Sequence, residues 1–237
     1  MTPAPFHAGG ERFLLCPMGV LAWPSRRTLV ASDLHLEKAS HFAARGVFLP
    51  PYDTRETVAK LALAIRRHSP QRLVLLGDSF HDAEGCTRMH ASDATALRHA
   101  LSQVDEVVWI LGNHDPLPPE DLPGTAAEWL TDGAVTFRHE ASRQAAPGVE
   151  VSGHFHPKAT MPTRVGGVTR PCFVGDARRI ILPSFGTLTG GLDVREPAIG
   201  TLFPRGGRAF LLGTGRLFSA PVSPMRGRAS PIMETHA

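Results

Sequence analysis

Cysteine, lysine and long apolar segments are all scarce in this sequence of 237 residues. Its 3 cysteines are far apart and form no Cys-x-x-Cys pair, so neither a disulfide framework nor a cysteine-based zinc site is expected. No run of about 18 apolar residues occurs, so no transmembrane helix is predicted. The first residues lack the basic and apolar segments of a secretory signal, and a cytoplasmic protein is expected.

The composition that remains is that of an ordinary globular protein, with 42% hydrophobic and 20% charged residues. It predicts one domain over residues 1–220 and a disordered tail over residues 221–237, which are rich in proline, serine and arginine. Basic residues outnumber acidic ones after residue 200. They are Arg205, Arg208, Arg216, Arg226 and Arg228, against Glu234. This charge suits a polyanionic partner such as nucleic acid, although a solvated tail would show the same pattern.

Three apolar runs in the first half of the chain each stop at a polar cluster. They cover residues 28–32, 72–76 and 106–111, and their leucine and β-branched residues predict strands buried on both faces. After about residue 134 the pattern changes to short, turn-bounded segments that predict strands with little helix between them. The predicted strands there are 135–139, 149–152, 168–174, 179–182 and 208–212.

Helical spacing separates the strands of the first half. A capping box is predicted at residues 53–56, and Val58, Leu61, Ala62 and Ile65 then recur on one helical face. Ser92 is predicted to cap a second helix that runs to Ser102. Strands alternating with helices indicate an α/β fold with parallel neighbouring strands, so we expect two packed sheets flanked by helices.

Residues that commonly bind metals follow these strands. The clusters are Asp33-Leu-His35, Gly77-Asp78, Gly112-Asn113-His114-Asp115 and Gly153-His154-Phe155-His156-Pro157, with His139 at the end of another predicted strand. Open α/β sheets bind ligands at the carboxyl ends of their strands. In an extended chain, residues two apart point the same way, so each Asp-x-His or His-x-His pair is expected to face one point. Alone, each cluster is also explained by a surface pair or a turn.

In this order, the clusters resemble those of the calcineurin-like metallophosphoesterase family. The resemblance implies a four-layer α/β/β/α sandwich of two mixed sheets and two divalent metal ions, expected to be Mn²⁺, with Fe or Zn²⁺ as alternatives. The implied ligands are Asp33, His35, Asp78 and His156 for one metal, and Asp78, Asn113, His139 and His154 for the other. It also implies that His114 is the general acid and that Asp115 orients it.

Within this family, segments 32–38, 77–82, 137–140 and 152–157 are most similar to the ligase-associated endonucleases of the bacterial DNA-damage response. This similarity implies DNA as substrate and an association with a DNA ligase and helicase repair system. Protein phosphatases of the family carry an acid at the position of His81, followed by Arg-Gly, which is absent here. His81 is instead a candidate contact for the substrate phosphate, with a plain structural histidine as the alternative.

Three functions are therefore compared. The first is a metal-dependent DNA phosphodiesterase or endonuclease, and the second is a phosphoesterase for nucleotides or other small phosphate esters. The third is a scaffold without catalysis, which is disfavoured because every expected ligand and the acid histidine are present. Cys172 and Arg178 have the Cys-x5-Arg spacing of cysteine-dependent phosphatases, but Asp176 would place a negative charge inside such a phosphate loop.

Overall fold

The computed structural model describes residues 1–115, 121–144, 147–164 and 166–224. Its helices are α1 (Lys38–Ala43), α2 (Asp53–His68), α3 (Gly85–Arg88), α4 (Ala91–Leu101) and α5 (Pro197–Gly200). None of these described helices combines the length and apolarity that crossing a bilayer requires.

The first sheet has seven strands in the order in which they occur along the chain. They are β1 (Ala4–Ala8), β2 (Glu11–Leu15), β3 (Leu21–Trp23), β4 (Thr28–Ser32), β5 (Arg72–Leu76), β6 (Glu106–Ile110) and β7 (Thr125–Ala127). Strands β1 to β4 pair antiparallel, whereas β4 to β7 pair parallel. The sheet is therefore mixed, and its parallel half holds the three strands that the apolar runs predict.

The second sheet is mixed as well. Its strands are β8 (Trp129–Asp132), β9 (Val135–Arg138), β10 (Val149–Ser152), β11 (Lys158–Thr163), β12 (Gly166–Gly175), β13 (Arg179–Ile181), β14 (Gly207–Leu212) and β15 (Leu217–Val222). The order is β15-β14-β12-β13-β10-β9-β8, with β11 paired to β12 outside this path. Strand β8 thus lies at one edge and β15 at the other.

Three apolar cores separate four layers. Side chains from the two sheets, such as Val74 and Val151, meet in a central core. Residues on the other face of the first sheet pack against α2 and α4, as Leu75 and Leu61 do. A third core lies under the second sheet and includes Ile199 of α5. The predicted α/β/β/α sandwich is confirmed, although the described part of the fourth layer is thin because α5 has only 4 residues.

The helix starts differ from the predictions. Tyr52, not Asp53, is the N-cap residue of α2, and the Asp53 carboxylate accepts a hydrogen bond from the backbone N–H of Ala39 instead of capping its own helix. The second helix begins after His90, whose ring accepts from the backbone N–H of Ser92. At α2 the Asp53 carboxylate is taken by Ala39 of another segment, and at the second helix the ring of His90 caps the helix in place of Ser92.

The sequence patterns also left several strands unpredicted. Strands β1 to β3 at the start of the chain and β7, β8, β11 and β15 were not indicated. Strand β15 includes Pro221 and Val222, with which the predicted tail begins, and residues 225–237 of that tail lie outside the described residues. Pro221 is tolerated because β15 is an edge strand, where a missing N–H breaks no ladder on the open side.

Lys60 is a mostly buried lysine on α2 that joins the helical layer to the loop after β13. Its ammonium group donates to the carbonyl oxygen of Phe185 at 2.9 Å and lies 4.0 Å from the centre of that ring. Burial lowers the pKa of Lys60 from 10.5 to about 8, against a smaller raising effect of Cys16. Below pH 8 the folded protein therefore carries a charge that burial disfavours.

We expect this penalty to disappear as the pH rises from about 8 to 10.5, because the folded protein then releases a proton that the unfolded chain retains. The free energy of unfolding, compared with that of Lys60→Met, should shift in favour of the unsubstituted protein by roughly 3 kcal/mol. Urea unfolding of both proteins at several pH values measures the difference. Parallel pH profiles would show that Lys60 has an ordinary pKa.

Candidate metal centre

The parallel strands place the polar clusters at one edge of the sandwich. Strands β4, β5 and β6 run parallel in register, so the residues that follow them, Asp33, Asp78 and Asn113, lie on neighbouring loops. Strands β9 and β10 of the second sheet are also parallel, and His139 and His154 follow them. The fold therefore assembles one site from loops of both sheets.

Asp33, His35 and His156 form the first cluster, in which one possible ligand atom from each residue lies within 4.8 Å of the others. The Nε2 atoms of His35 and His156 are 3.2 Å apart, and His156 Nε2 lies 3.3 Å from Asp33 Oδ1. Asp33 is fully buried. The two sheets contribute jointly, because Asp33 and His35 follow β4 whereas His156 follows β10.

Asp78, His139 and His154 form the second cluster by the same distance criterion. His139 Nε2 lies 3.5 Å from Asp78 Oδ2 and 3.1 Å from His154 Nδ1. The same Asp78 oxygen is 3.9 Å from His35 Nε2 of the first cluster. Asp78 therefore lies between the two clusters, where a carboxylate can bridge two cations.

The backbone at the ligands is not extended, contrary to the prediction from residue spacing. Left-handed conformations with positive φ occur at five residues of the two clusters, at values from 44° to 69°. These residues are Asp33, His35, Asp78, His154 and His156. Such conformations are uncommon for residues other than glycine and cost about 1–3 kcal/mol each. The paired side chains still converge, but they do so through tight local folding of the backbone.

A hydrogen bond to a carbonyl oxygen fixes which ring nitrogen of His139 can bind a metal. Its Nδ1 lies 2.9 Å from the carbonyl oxygen of Leu76. Because a carbonyl oxygen only accepts, Nδ1 carries the hydrogen, and Nε2 is left facing Asp78 and His154. Metal-binding histidines commonly have this outer hydrogen bond. Imidazole nitrogens and carboxylate oxygens without thiolate suit Mn²⁺, Fe or Zn²⁺, so the two clusters fit a dinuclear metal site.

Burial and charge shift the protonation of these ligands in opposite directions. Burial lowers the pKa of His35 to about 3, which keeps its ring neutral. Burial also lowers the pKa of His139, but the hydrogen bond to Asp78 and the charges of Asp33 and Asp78 outweigh it, and the pKa rises to about 9. The same contact holds the pKa of Asp78 below its ordinary value despite its burial.

Glycines allow the loops to approach the ligands closely. A Cβ on Gly153 would lie 1.6 Å from Ser32 Oγ and 2.4 Å from Asp33 Oδ2. A Cβ on Gly112 would lie 2.2 Å from the backbone nitrogen of Asp78. The backbone N–H of His154, next to Gly153, donates to both oxygens of Asp33 at 3.0 and 3.2 Å. The glycine before the His-x-His pair is therefore needed to bring the second sheet against Asp33.

Gly153→Ala is expected to lower metal affinity by about 10- to 100-fold, because the added methyl group pushes Asp33 and His154 apart. Isothermal titration calorimetry with the metal ion measures the dissociation constant of each protein. Gly190→Ala is the matched control, since a Cβ at Gly190 meets nothing within 4 Å. Equal affinities for the two variants would contradict the proposed role of Gly153.

His114 lies at the rim of the site with its side chain 46% exposed. Its Nδ1 donates to the carbonyl oxygen of His81 at 2.8 Å, and its backbone N–H donates to Asp78 Oδ1 at 2.9 Å. This differs from the predicted pairing with Asp115. The Asp115 carboxylate accepts instead from the backbone N–H of Phe80, and burial raises its pKa to about 7. Asp115 therefore orders the loop after β5 rather than the ring of His114.

His81, a candidate substrate contact, and Cys172, whose spacing to Arg178 is that of a cysteine-dependent phosphatase loop, both lie away from direct chemistry. His81 is buried, with its Nδ1 3.5 Å from His35 Nδ1 and its ring stacked on that of His114. This position supports those two rings rather than presenting His81 to a substrate. Cys172 is 0% exposed within β12, and burial raises its pKa to about 12, so both its position and its protonation disfavour a thiolate nucleophile.

Sequence reasoning missed a cavity beside the centre. Asn113, which carries no charge and is exposed, lines this cavity together with His139, Trp129 and Arg138. A signal for Trp129 was present in the sequence, because the other two tryptophans stand in apolar runs whereas Trp129 follows Glu128 and precedes Leu-Thr-Asp. A hydrogen-bonded group of His41, Asp82 and Arg88 packed against His81 was also not predicted.

Comparisons with known proteins support the metal site that the geometry indicates. The family model described as calcineurin-like phosphoesterase matches residues 26–177, well over half of the chain. The crystal structure of the nuclease MPE from Pseudomonas putida is similar, with 26% sequence identity and a TM-score of 0.70. The match covers 92% of this chain and 100% of that one. No curated protein matches the chain.

Proposed function

Because the chain belongs to the calcineurin-like phosphoesterase family and is a metal-dependent phosphoesterase, we propose that it hydrolyses phosphodiester bonds of DNA. The observation that carries the proposal is the pair of neighbouring carboxylate and imidazole clusters, one of which includes Asp78. The structural similarity to a nuclease over nearly the whole chain supports a nucleic acid as the substrate. Manganese is the proposed metal, and the link to a ligase and helicase repair system stays a prediction.

The proposed metal ligands are the residues of the two clusters, together with the exposed Asn113. Divalent cations bound there would neutralise the phosphate and lower the pKa of a water molecule, so that hydroxide is available near pH 7. The protein holds the carboxylates of Asp78 and Asp33 in place through the backbone N–H groups of His114 and His154, respectively. These preformed contacts need no rearrangement when the substrate binds.

His114 is the proposed general acid. With Nδ1 committed to the carbonyl oxygen of His81, Nε2 is the ring nitrogen that can hand a proton to the leaving oxygen. That atom lies 4.0 Å from Asp78 Oδ2, so it is close to the clusters while the ring remains half exposed to a substrate. The stacked ring of His81 limits the orientations that His114 can adopt.

An arginine-lined cavity on the second sheet, at the end of β13 remote from the metal ligands, suits a polyanionic substrate. This cavity of about 450 Å³ is lined by Arg143, Arg178 and Arg205 together with Asp176. It shares Arg143 with a neighbouring cavity that reaches Glu140 and Phe155, which adjoin His139 and His154. Guanidinium groups bind phosphate oxygens bidentately, so this path could follow a nucleic acid backbone away from the centre.

The test is to strip the protein of metal, reload it with Mn²⁺, Fe²⁺ or Zn²⁺, and offer it single-stranded DNA, duplex DNA, nucleotides and bis-p-nitrophenyl phosphate. We expect Mn²⁺-dependent cleavage of DNA that weakens as salt rises, because salt competes with arginine contacts to phosphate. Cleavage of nucleotides without cleavage of DNA would replace the proposal by a small-molecule phosphoesterase. Hydrolysis of none of these esters with any metal would favour a scaffold.

A further inference from the structure

Trp129 differs from the other two tryptophans of the chain. Trp23 and Trp109 are buried, and the indole N–H of each donates to a partner, Glu11 and the carbonyl oxygen of Pro123 respectively. Trp129 is 55% exposed. Within the described residues, no aromatic ring or cation packs on its indole. Such an exposed aromatic surface is available to a ligand.

The strand pairing places Trp129 beside the metal centre. Trp129 begins β8, the edge strand of the second sheet, and lies opposite Arg138 in the register of β8 and β9. Arg138 is followed directly by His139, a residue of the second cluster. The antiparallel ladder therefore places Trp129 opposite the residue that directly precedes a proposed metal ligand.

A cavity of about 290 Å³ joins Trp129 to the centre. Its lining includes Asn113 and His139 as well as Trp129 and Arg138. Glu128 and Glu140 also line it. The cavity is large enough for a planar ring system, and it is continuous with the proposed ligands.

We propose that Trp129 forms a stacking site for one nucleobase of the nucleic acid strand whose phosphate lies at the metal centre. This inference rests on the proposed function. Bases without a pairing partner stack on exposed aromatic side chains largely independently of sequence, because every base has a π-face. The shared wall with Asn113 and His139 assigns the base to a nucleotide adjoining the cleaved phosphate.

The charges around the cavity favour a neutral ring over a second phosphate. Glu128 and Glu140 line the cavity and would repel an anion bound there. Arg138 is already 3.7 Å from the buried carboxylate of Glu150, which neutralises much of its charge. A neutral base that stacks on the indole meets these conditions, whereas a phosphate does not.

The experiment compares two single-stranded oligonucleotides of equal length, one with normal bases and one built entirely of abasic nucleotides. The unsubstituted protein, loaded with Mn²⁺, is expected to cleave the base-containing strand about 5- to 100-fold more efficiently in kcat/KM. Trp129→Ala should remove most of this ratio, whereas Trp129→Phe should keep most of it. Phe218→Ala is the matched control, because Phe218 is 40% exposed on β15 at the opposite edge of the same sheet.

Each outcome decides the inference. The inference would be overturned if the ratio of kcat/KM for the two strands were unchanged in Trp129→Ala. Equal cleavage of both strands by the unsubstituted protein would also overturn it, and that measurement needs no variant. Hydrolysis of bis-p-nitrophenyl phosphate without cleavage of either strand would instead show that the proposed DNA substrate is wrong, and the base site would be rejected with it. Loss of the ratio in Trp129→Ala, retention in Trp129→Phe and no change in Phe218→Ala would establish the site.

Discussion

Replacing Asp78 with asparagine is expected to lower phosphoester hydrolysis by more than about 10³-fold, equivalent to roughly 4 kcal/mol in the activation barrier. Asp78 Oδ2 lies 3.5 Å from His139 and 3.9 Å from His35, so its carboxylate serves both clusters. Asparagine keeps the shape and the acceptor for the backbone N–H of His114 but loses the negative charge. Initial rates on bis-p-nitrophenyl phosphate, together with the metal content per chain, measure the effect.

Asp176→Asn provides a control with the same chemical change. The Oδ1 of Asp176 accepts from the backbone N–H groups of Arg178 and Arg179 in a turn, and an amide oxygen can do the same. This variant should retain its metal and its activity. If Asp78→Asn kept more than about a tenth of the rate with an unchanged metal content, Asp78 would not be a shared ligand.

Replacing His114 with alanine should have a large effect that depends on the leaving group. With DNA, whose departing sugar oxygen needs a proton, kcat should fall by about 10²–10⁴-fold. With bis-p-nitrophenyl phosphate the fall should be less than about tenfold, because p-nitrophenolate leaves without protonation. The comparison of kcat for the two substrates therefore isolates proton transfer from any general loss of binding or structure.

His99→Ala on the exposed face of α4 is the matched histidine control and should change neither rate. Equal losses on both substrates in His114→Ala would instead mean that His114 binds the phosphate or supports the ligands. The loss should also remain smaller than that in Asp78→Asn, since the carboxylate holds the metals on which the reaction depends.

The strand ends and most of the centre could be predicted because their signals are local. Apolar runs such as Arg72–Leu76 indicate a buried strand, and a polar cluster at the end of each strand indicates where a parallel sheet binds ligands. The structure brings Asp33, His35, Asp78 and the three later histidines of the two clusters together, as the ordered motifs implied. His139 was found without a motif, only as a histidine ending a predicted strand.

Other features depend on contacts between distant segments and leave no local pattern. The left-handed backbone at Asp33 and His35 arises where the loop after β4 packs against the loop after β5, as when His35 N donates to the carbonyl oxygen of Asp78. Asp53 looked like a helix cap, but Ala39 competes for its carboxylate. The partner of His114 is likewise a carbonyl group 33 residues away.

Each metal cluster takes ligands from both sheets, and this arrangement makes the cations part of the tertiary structure. Ions bound there would join the two halves of the sandwich at one edge, because Asp33 and Asp78 follow strands of one sheet and the histidines after β9 and β10 belong to the other. A ligand that binds only the native state adds free energy of unfolding in proportion to the logarithm of its concentration. Chelation would therefore lower the free energy of unfolding as well as stop the reaction.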